Sequence, residues 1–252
     1  MENLKSPFSF FDLFVYLVPG LIFSFTVVWF FLLENGASKI VDFFSNTKDF
    51  KYIFFFLTLI VAYSLGHVVS SLGSLIFEKL LVKKYLGYPT KNLFSNEKNR
   101  KWPFKSYGNN YSPQFIEHFC KTLENYFGEF ENQDKFMLCF TFVKENCPTT
   151  FGRLNTFISL YSFTFVKENC PTTFGRLNTF ISLYNFSRNS AAALIVLSIS
   201  LFLKSYFLYG IITLLLAFLF TFRYLKFFKL YSNEIFMTFY ICNHKNNYDQ
   251  KK

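Results

Sequence analysis

Charged residues are scarce in this sequence, and two long segments have none. Only 17% of the 252 residues are charged, against about 25% in soluble domains. Leu13–Leu33 is uncharged throughout, and Tyr52–Phe77 is uncharged except for the titratable His67. Because a helix needs roughly 20 apolar residues to cross the hydrocarbon core of a bilayer, this scarcity argues against an ordinary soluble domain. It predicts two transmembrane helices.

Signatures of catalysis and metal binding are also missing. The sequence contains no G-x-x-x-x-G-K-[ST], G-x-G-x-x-G, H-E-x-x-H or G-x-S-x-G motif, which argues against the common phosphate-, dinucleotide-, zinc- and serine-dependent enzymes. Its five cysteines show no C-x-x-C spacing. His118 and Cys120 lie two residues apart and point to different sides of a predicted helix, so they form no dyad. We therefore expect no enzyme, no cofactor and no metal.

Two further apolar segments lie in the second half of the chain. Asn189–Leu203 and Ser205–Phe222 predict a tight transmembrane hairpin that turns at Lys204, whose long side chain can reach the interface. A re-entrant or interfacial hairpin is the alternative, because the first of these segments has only about 15 residues. The predicted fold class is an all-α integral membrane protein with four transmembrane helices and a helical cytoplasmic insert between helices 2 and 3.

Lysine and arginine are distributed unequally about these spans. Ten of them near the span ends fall on one side, and four fall on the other: Lys39, Lys48, Lys51 and Lys204. The positive-inside rule then places both termini and the long middle segment in the cytoplasm of a multi-pass protein of the inner (plasma) membrane. The leader contains Glu2, Lys5 and Asp12 and no small-residue cleavage site, so we expect the first span to be retained.

The predicted domains follow from these spans. Residues 1–84 hold transmembrane helices 1 and 2, 85–188 form the cytoplasmic insert, 189–222 form the hairpin, and 223–252 form a basic cytoplasmic tail. Within the insert, FTFVKENCPTTFGRLNTFISLY occurs twice without a difference, as Phe140–Tyr161 and Phe163–Tyr184.

This tandem 23-residue duplication, 140–162/163–185, has two copies that are identical over 22 residues, whereas working repeat arrays have three or more divergent ones with caps. A recent duplication or an assembly artefact is therefore favoured over a selected repeat. Read with a single copy, the sequence predicts one helix over Pro171–Leu203 that leads into the third span.

The insert begins with an irregular basic loop. Its basic residues alternate with aromatic ones, which is typical of a solvated loop, of a surface that contacts lipid headgroups, or of a nucleic-acid interface: Lys98, Arg100, Lys101 and Lys105. We favour the membrane-surface loop over nucleic acid because the bilayer is the nearest polyanion. An amphipathic helix follows, with Ser112 as N-cap, Pro113 at its first position and Gly128 at its end. A second helix is predicted from Gln133 to Asn146, before Pro148.

Polar residues within the second span form a stripe at helical spacing: Ser64, His67, Ser71 and Ser74, with Ser70 alongside. Gly66 and Gly73 flank this stripe, and small residues allow helices to approach closely in lipid. His67 is expected near mid-bilayer, where titratable groups are rare and often functional. The stripe indicates packing inside a helix bundle, with a polar pathway for ions or protons and a ligand site as the alternatives.

The first span contains a Pro-Gly pair, Pro19 and Gly20. Proline in a transmembrane helix kinks it and frees a carbonyl that a neighbour must satisfy. A fixed kink for packing is favoured over a hinge. Asp12 is expected at the cytoplasmic interface, paired with Lys79 or Lys83 for little net energy.

These features together predict an accessory or membrane effector subunit of bacterial type. It would associate with copies of itself through helix 2 and couple a cytoplasmic helical module to the bilayer, with a soluble cytoplasmic partner. A membrane-disrupting effector of an anti-phage system has the same layout, at the level of architecture alone. The alternative is a small channel or transporter that uses the stripe on helix 2, although transporter-type inverted repeats are not visible.

Overall fold

The structure is a computed structural model, and it describes residues 10–32, 51–95, 104, 107, 110–128, 135–136, 138–139 and 171–249. All regular elements in these ranges are helical. The α-helices are α1 (Phe10–Leu32), α2 (Lys51–Gly73), α3 (Pro89–Asn92), α4 (Pro113–Phe127), α5 (Pro171–Leu203) and α6 (Phe207–Asp249). A π-helix over Ser74–Leu86 directly continues α2, and we call it the π segment.

Four of the described helical stretches are long and apolar enough to cross a membrane, judged by length and composition. They are Leu13–Phe30, Tyr52–Asn92, Thr179–Leu203 and Phe207–Tyr240. The predicted all-helical class and the predicted number of apolar helices are thereby confirmed. The predicted helix over Pro171–Leu203 is also confirmed, because α5 has these bounds.

The chain divides into two compact units. The first comprises Met1–Tyr85 and Ser182–Leu225, and the second comprises Leu86–Ile181 and Lys226–Lys252. Both α5 and α6 therefore supply residues to each unit.

Within the first unit, α5 is the central helix. Its residues Ala191, Ala192 and Ala193 are fully buried or nearly so, because small side chains leave room for neighbouring helices on more than one side. The outward faces of α1, α2 and α6 carry exposed Leu, Ile, Val and Phe side chains. An apolar exterior around a core of small and polar residues is typical of a helix bundle in lipid.

Two glycines allow α1 and α2 to touch through their backbones. A Cβ atom on Gly20 would lie 1.8 Å from the carbonyl oxygen of Ala62, and one on Gly66 would lie 2.0 Å from that of Tyr16. Both distances are far inside van der Waals contact, so only glycine fits at either position. Ala62 and Gly66 of α2 thus pack against α1.

The turn between α5 and α6 has the hydrogen bonds of a Schellman motif. The N–H of Tyr206 donates to the carbonyl of Leu201 at 2.9 Å, and the N–H of Ser205 donates to that of Phe202 at 3.0 Å. Ser205 adopts φ 62°, the left-handed conformation that glycine usually occupies at this place. The tight hairpin turn predicted at Lys204 is present.

The second unit has its own hydrophobic core. Phe119 and Leu123 of α4 pack with Ile235, Phe236 and Phe239 of α6. The predicted boundaries of α4 are confirmed: the Ser112 hydroxyl accepts the Phe115 N–H, and Gly128 follows the helix with φ 77°. The exposed face of α4 carries an ion pair between Lys121 and Glu117 at 2.8 Å, which lowers the pKa of Glu117 and raises that of Lys121.

The last helix is longer than the sequence predicted, and part of the predicted insert lies outside the described residues. The fourth span was expected to end at Phe222, but α6 continues without interruption to Asp249, and its second half supplies core residues to the second unit. The helix predicted over Gln133–Asn146 falls mostly outside the described residues, as does the first copy of the duplication.

Candidate functional site

A buried ion pair lies at the centre of a polar cluster in the first unit. The Arg188 guanidinium of α5 binds Glu78 of the π segment through Nη1. Its Nη2 donates to Ser70 Oγ at 3.0 Å, and its Nε donates to Asn189 Oδ1 at 3.3 Å. The Arg188 side chain is 9% exposed and that of Glu78 is 29% exposed. We call Ser70, Ser74, Glu78, Tyr184, Arg188 and Asn189 the polar cluster.

Glu78 receives further hydrogen bonds on both carboxylate oxygens. The Ser74 hydroxyl donates to Oε2 at 2.9 Å, and the Tyr184 hydroxyl donates to Oε1 at 3.3 Å. Tyr184 also accepts from Arg188 Nη1 at 3.4 Å, and the guanidinium carbon lies 5.5 Å from its ring centroid. Each charge is thus matched by an opposite charge and by neutral dipoles, which is what a poorly solvated ion pair requires.

Asn189 connects the polar cluster to α1 by bonding a backbone carbonyl that Pro19 leaves without its helical partner. Pro19 lacks the N–H that would bond the carbonyl four residues earlier, that of Val15. The Asn189 side-chain amide donates to this Val15 carbonyl at 3.3 Å. The carbonyl freed by the proline is therefore satisfied by a neighbouring helix.

Helix α5 passes α2 at Gly73. A Cβ atom at this position would lie 3.4 Å from Arg188 Cγ and 3.5 Å from Ala192 Cβ, so the arginine stem passes directly over the glycine. The polar cluster thus ties α1, α2 with the π segment, and α5 together. Its groups offer charge pairing and hydrogen bonding but no activated nucleophile, and the described residues contain no group of three side chains suited to a metal ion.

The structure divides the predicted polar stripe of helix 2 into two parts. Ser70 and Ser74 face inward and belong to the polar cluster. Ser64, His67 and Ser71 are exposed on the outer face of α2. The hydroxyls of Ser64 and Ser71 donate to carbonyls of their own helix, those of Ile60 and His67, at 3.0 and 3.2 Å.

His67 lies against aromatic rings. Its imidazole stacks on Tyr16 with ring centroids 4.1 Å apart and meets Tyr63 edge-on at 4.9 Å. This contact puts His67 at the level of Tyr16, which is four residues, or about 6 Å, along α1 from Asp12.

The other predicted site residues are placed as follows. Pro19 and Gly20 lie inside the continuous helix α1, where Gly20 contacts the α2 backbone; the predicted kink stays a prediction. The basic residues Lys98, Arg100, Lys101 and Lys105 lie outside the described residues. The ion pair predicted for Asp12 involves a side chain that is likewise not described.

Sequence reasoning did not identify four members of the polar cluster: Glu78, Tyr184, Arg188 and Asn189. The two charged residues were assigned to the span ends, where a charge ordinarily faces headgroups. One signal was available, because Ser187, Arg188, Asn189 and Ser190 directly precede a run of three alanines. Polar residues next to residues small enough for close helix packing indicate an interior face rather than a headgroup face.

Comparison with protein-family models, with curated proteins and with solved structures gave no match.

Proposed function

We propose that this protein is a multi-pass membrane subunit that couples a cytoplasmic helical module to the bilayer through two continuous helices. The observation that carries the proposal is helix length. With 33 residues and 43 residues, α5 and α6 extend about 50 and 65 Å at 1.5 Å per residue. The hydrocarbon core is about 30 Å thick, so each helix has length left over for a region outside it.

Charged residues support one pair of membrane boundaries. From Arg188 to Lys204, α5 rises about 24 Å, and Lys204 Nζ lies 4.7 Å from the ring centroid of Phe30, near the end of α1. The side chain of a lysine can extend toward the headgroups from this depth. Arg188, Glu78 and Arg223 then mark the opposite surface, which the positive-inside rule assigns to the cytoplasm of a bacterial-type inner membrane.

The outer face of α2 supports self-association. Leu57, Ile60, Ser64, His67 and Ser71 are all exposed and follow the alternating three- and four-residue spacing of a coiled-coil seam; we call them the outer seam. Two copies with the same membrane orientation would bring equal residues together about a two-fold axis. His67 would then contact its counterpart instead of lipid.

The first experiment tests membrane insertion and topology. After expression in a bacterial host, the full chain should stay in membranes washed with alkaline carbonate. A tag at the C-terminus should be digested by protease only in inside-out vesicles, and a tag within residues 34–50 only in spheroplasts. Release by carbonate, or the reverse digestion pattern, would refute the proposal.

A second experiment separates the membrane-effector role from the channel alternative. An effector subunit should depolarise the host membrane on overexpression, and His67→Ala should weaken this through lost assembly. A channel lined by the outer seam should instead show a solute-dependent leak that His67→Ala changes while the oligomer persists. Oligomer mass and membrane conductance are measured on the same preparation, with Thr58→Ala as the control for an exposed hydroxyl of α2 that lies off the outer seam.

A further inference from the structure

The π segment distributes its residues differently from an α-helix. Phe77, Val82 and Leu86 are buried, at spacings of five and then four residues. This periodicity is that of a helix closed by i→i+5 hydrogen bonds, which is rare beyond a single turn and is found frequently at functional sites. The side chains opposite this buried stripe therefore cannot be assigned by the 3.6-residue period.

Three lysines occupy the exposed side of the π segment: Lys79, Lys83 and Lys84. When one turn takes between four and five residues, positions i+4 and i+5 both lie next to position i. In an α-helix, Lys84 would be rotated from Lys79 by about 140°. The π conformation thus gathers three ammonium groups, which we call the lysine stripe, on one face.

Acidic residues of the same helix do not neutralise the lysine stripe. Residues 51–86 include a single acidic residue, Glu78, and its carboxylate binds Arg188, Ser74 and Tyr184. The polar cluster therefore holds the one carboxylate of this helix on the interior side. The lysine stripe carries a charge of +3 that no acidic residue of residues 51–86 offsets.

Apolar side chains surround the lysine stripe on the same helix. Leu72 and Leu75 are exposed on the turns before it, and Leu80 and Tyr85 are exposed within it. A surface that is apolar first and basic immediately afterwards matches the change from acyl chains to headgroups at a membrane surface.

We propose that the lysine stripe binds the phosphate groups of anionic phospholipids in the adjoining leaflet. The inference rests on the proposed membrane insertion and adds a lipid class to it. Lysine is a compact point charge suited to a phosphate that is shared among several donors. Juxtamembrane lysines near an anionic surface contribute about fivefold in binding each.

The test uses the full chain reconstituted in vesicles of POPC and POPG with spin-labelled phosphatidylglycerol or phosphatidylcholine. The motionally restricted fraction of each lipid gives the preference for the anionic headgroup. We expect a clear preference for phosphatidylglycerol, reduced at the stripe by about fivefold for each lysine removed in the triple substitution Lys79→Gln, Lys83→Gln and Lys84→Gln. The triple substitution to Arg should retain the preference, and Lys121→Gln in the second unit should leave it unchanged.

Salt provides an independent measurement on the wild-type chain. The preference should fall steeply between low and high ionic strength, because the attraction is screened. Equal restriction of both lipids, or a preference indifferent to salt and to the triple Gln substitution, overturns the proposal. A chain that resists carbonate but lacks the preference refutes only the lysine stripe, whereas a chain released by carbonate refutes the insertion on which it rests.

Discussion

Removing either member of the ion pair in the polar cluster should lower the free energy of unfolding, and removing Glu78 should lower it more than removing Arg188. Glu78→Ala leaves a guanidinium that is 9% exposed with neutral partners only. Arg188→Ala leaves a carboxylate that is 29% exposed and still accepts from Ser74 and Tyr184. Breaking a buried pair costs about 3–5 kcal/mol. We expect Glu78→Ala near the upper end and Arg188→Ala lower, at about 2–3 kcal/mol, because of its remaining donors and solvent access.

The double substitution distinguishes pairing from mere burial. Glu78→Leu with Arg188→Met removes both charges and keeps most of the volume, so the free energy of unfolding should recover to within about 1 kcal/mol of wild type. Glu78→Leu alone, Arg188→Met alone and the double substitution form a thermodynamic cycle, and its coupling energy should be about 2 kcal/mol or more.

Equilibrium unfolding by SDS titration in mixed micelles, followed by far-ultraviolet circular dichroism, supplies these free energies. Thr58→Ala is the matched control at an exposed position of α2 off the outer seam; its hydroxyl bonds its own helix, so the change should stay under about 0.5 kcal/mol. Additivity of the two single effects within about 0.5 kcal/mol would refute the reasoning, since residues without mutual interaction add.

Three further predictions concern other positions. Gly66→Ala places a Cβ 2.0 Å from the Tyr16 carbonyl oxygen and should cost upwards of 3 kcal/mol in the same titration, whereas Gly73→Ala, at 3.4 Å, should cost clearly less; equal effects would contradict the tight crossing. Ser205→Gly should raise the free energy of unfolding by about 1 kcal/mol, because φ 62° is strained for serine and free for glycine, and a loss of stability would contradict this. Burial raises the pKa of Tyr111 above its ordinary value, so the unfolded state loses this proton first, and the free energy of unfolding should be constant below a pH of about 10 and fall as the pH rises further. Tyr111→Phe should reduce this fall, measured as the urea midpoint at each pH. An equally steep fall of the midpoint with pH in the variant would contradict the prediction.

Local chemistry made some boundaries readable from sequence. The serine cap and glycine end of α4 follow from backbone hydrogen-bonding needs within a few residues, and the start of α5 follows from Pro171 once a single repeat copy is read. The length of α6 could also have been predicted, because no helix-breaking glycine or proline occurs after Gly210. It was missed because the change from apolar to polar residues near Arg223 was taken as the end of a helix rather than as the end of a span.

Other features could not be read from local patterns. The π segment could not be predicted, because its buried residues at five- and four-residue spacing fit neither an α-helix nor a strand. Glu78 and Arg188 lie 110 residues apart, so a single sequence gives no sign that they meet. Whether Ser70 faces inward and Ser71 outward likewise depends on where α5 lies.

The hydrogen bond from Asn189 to the carbonyl freed by Pro19 also has a consequence for biogenesis. The two partners are separated by 174 residues, which a ribosome adds in about 10–35 s at 5–20 residues per second. From the addition of Glu78 until that of Arg188, 110 residues later, the pair of α1 and α2 would hold an unbonded carbonyl and an uncompensated Glu78 carboxylate. Synthesis of α5 would supply both missing partners in consecutive residues, Arg188 and Asn189. A chain that ends before α5 would keep both polar groups unpaired, and this would distinguish it from the full chain.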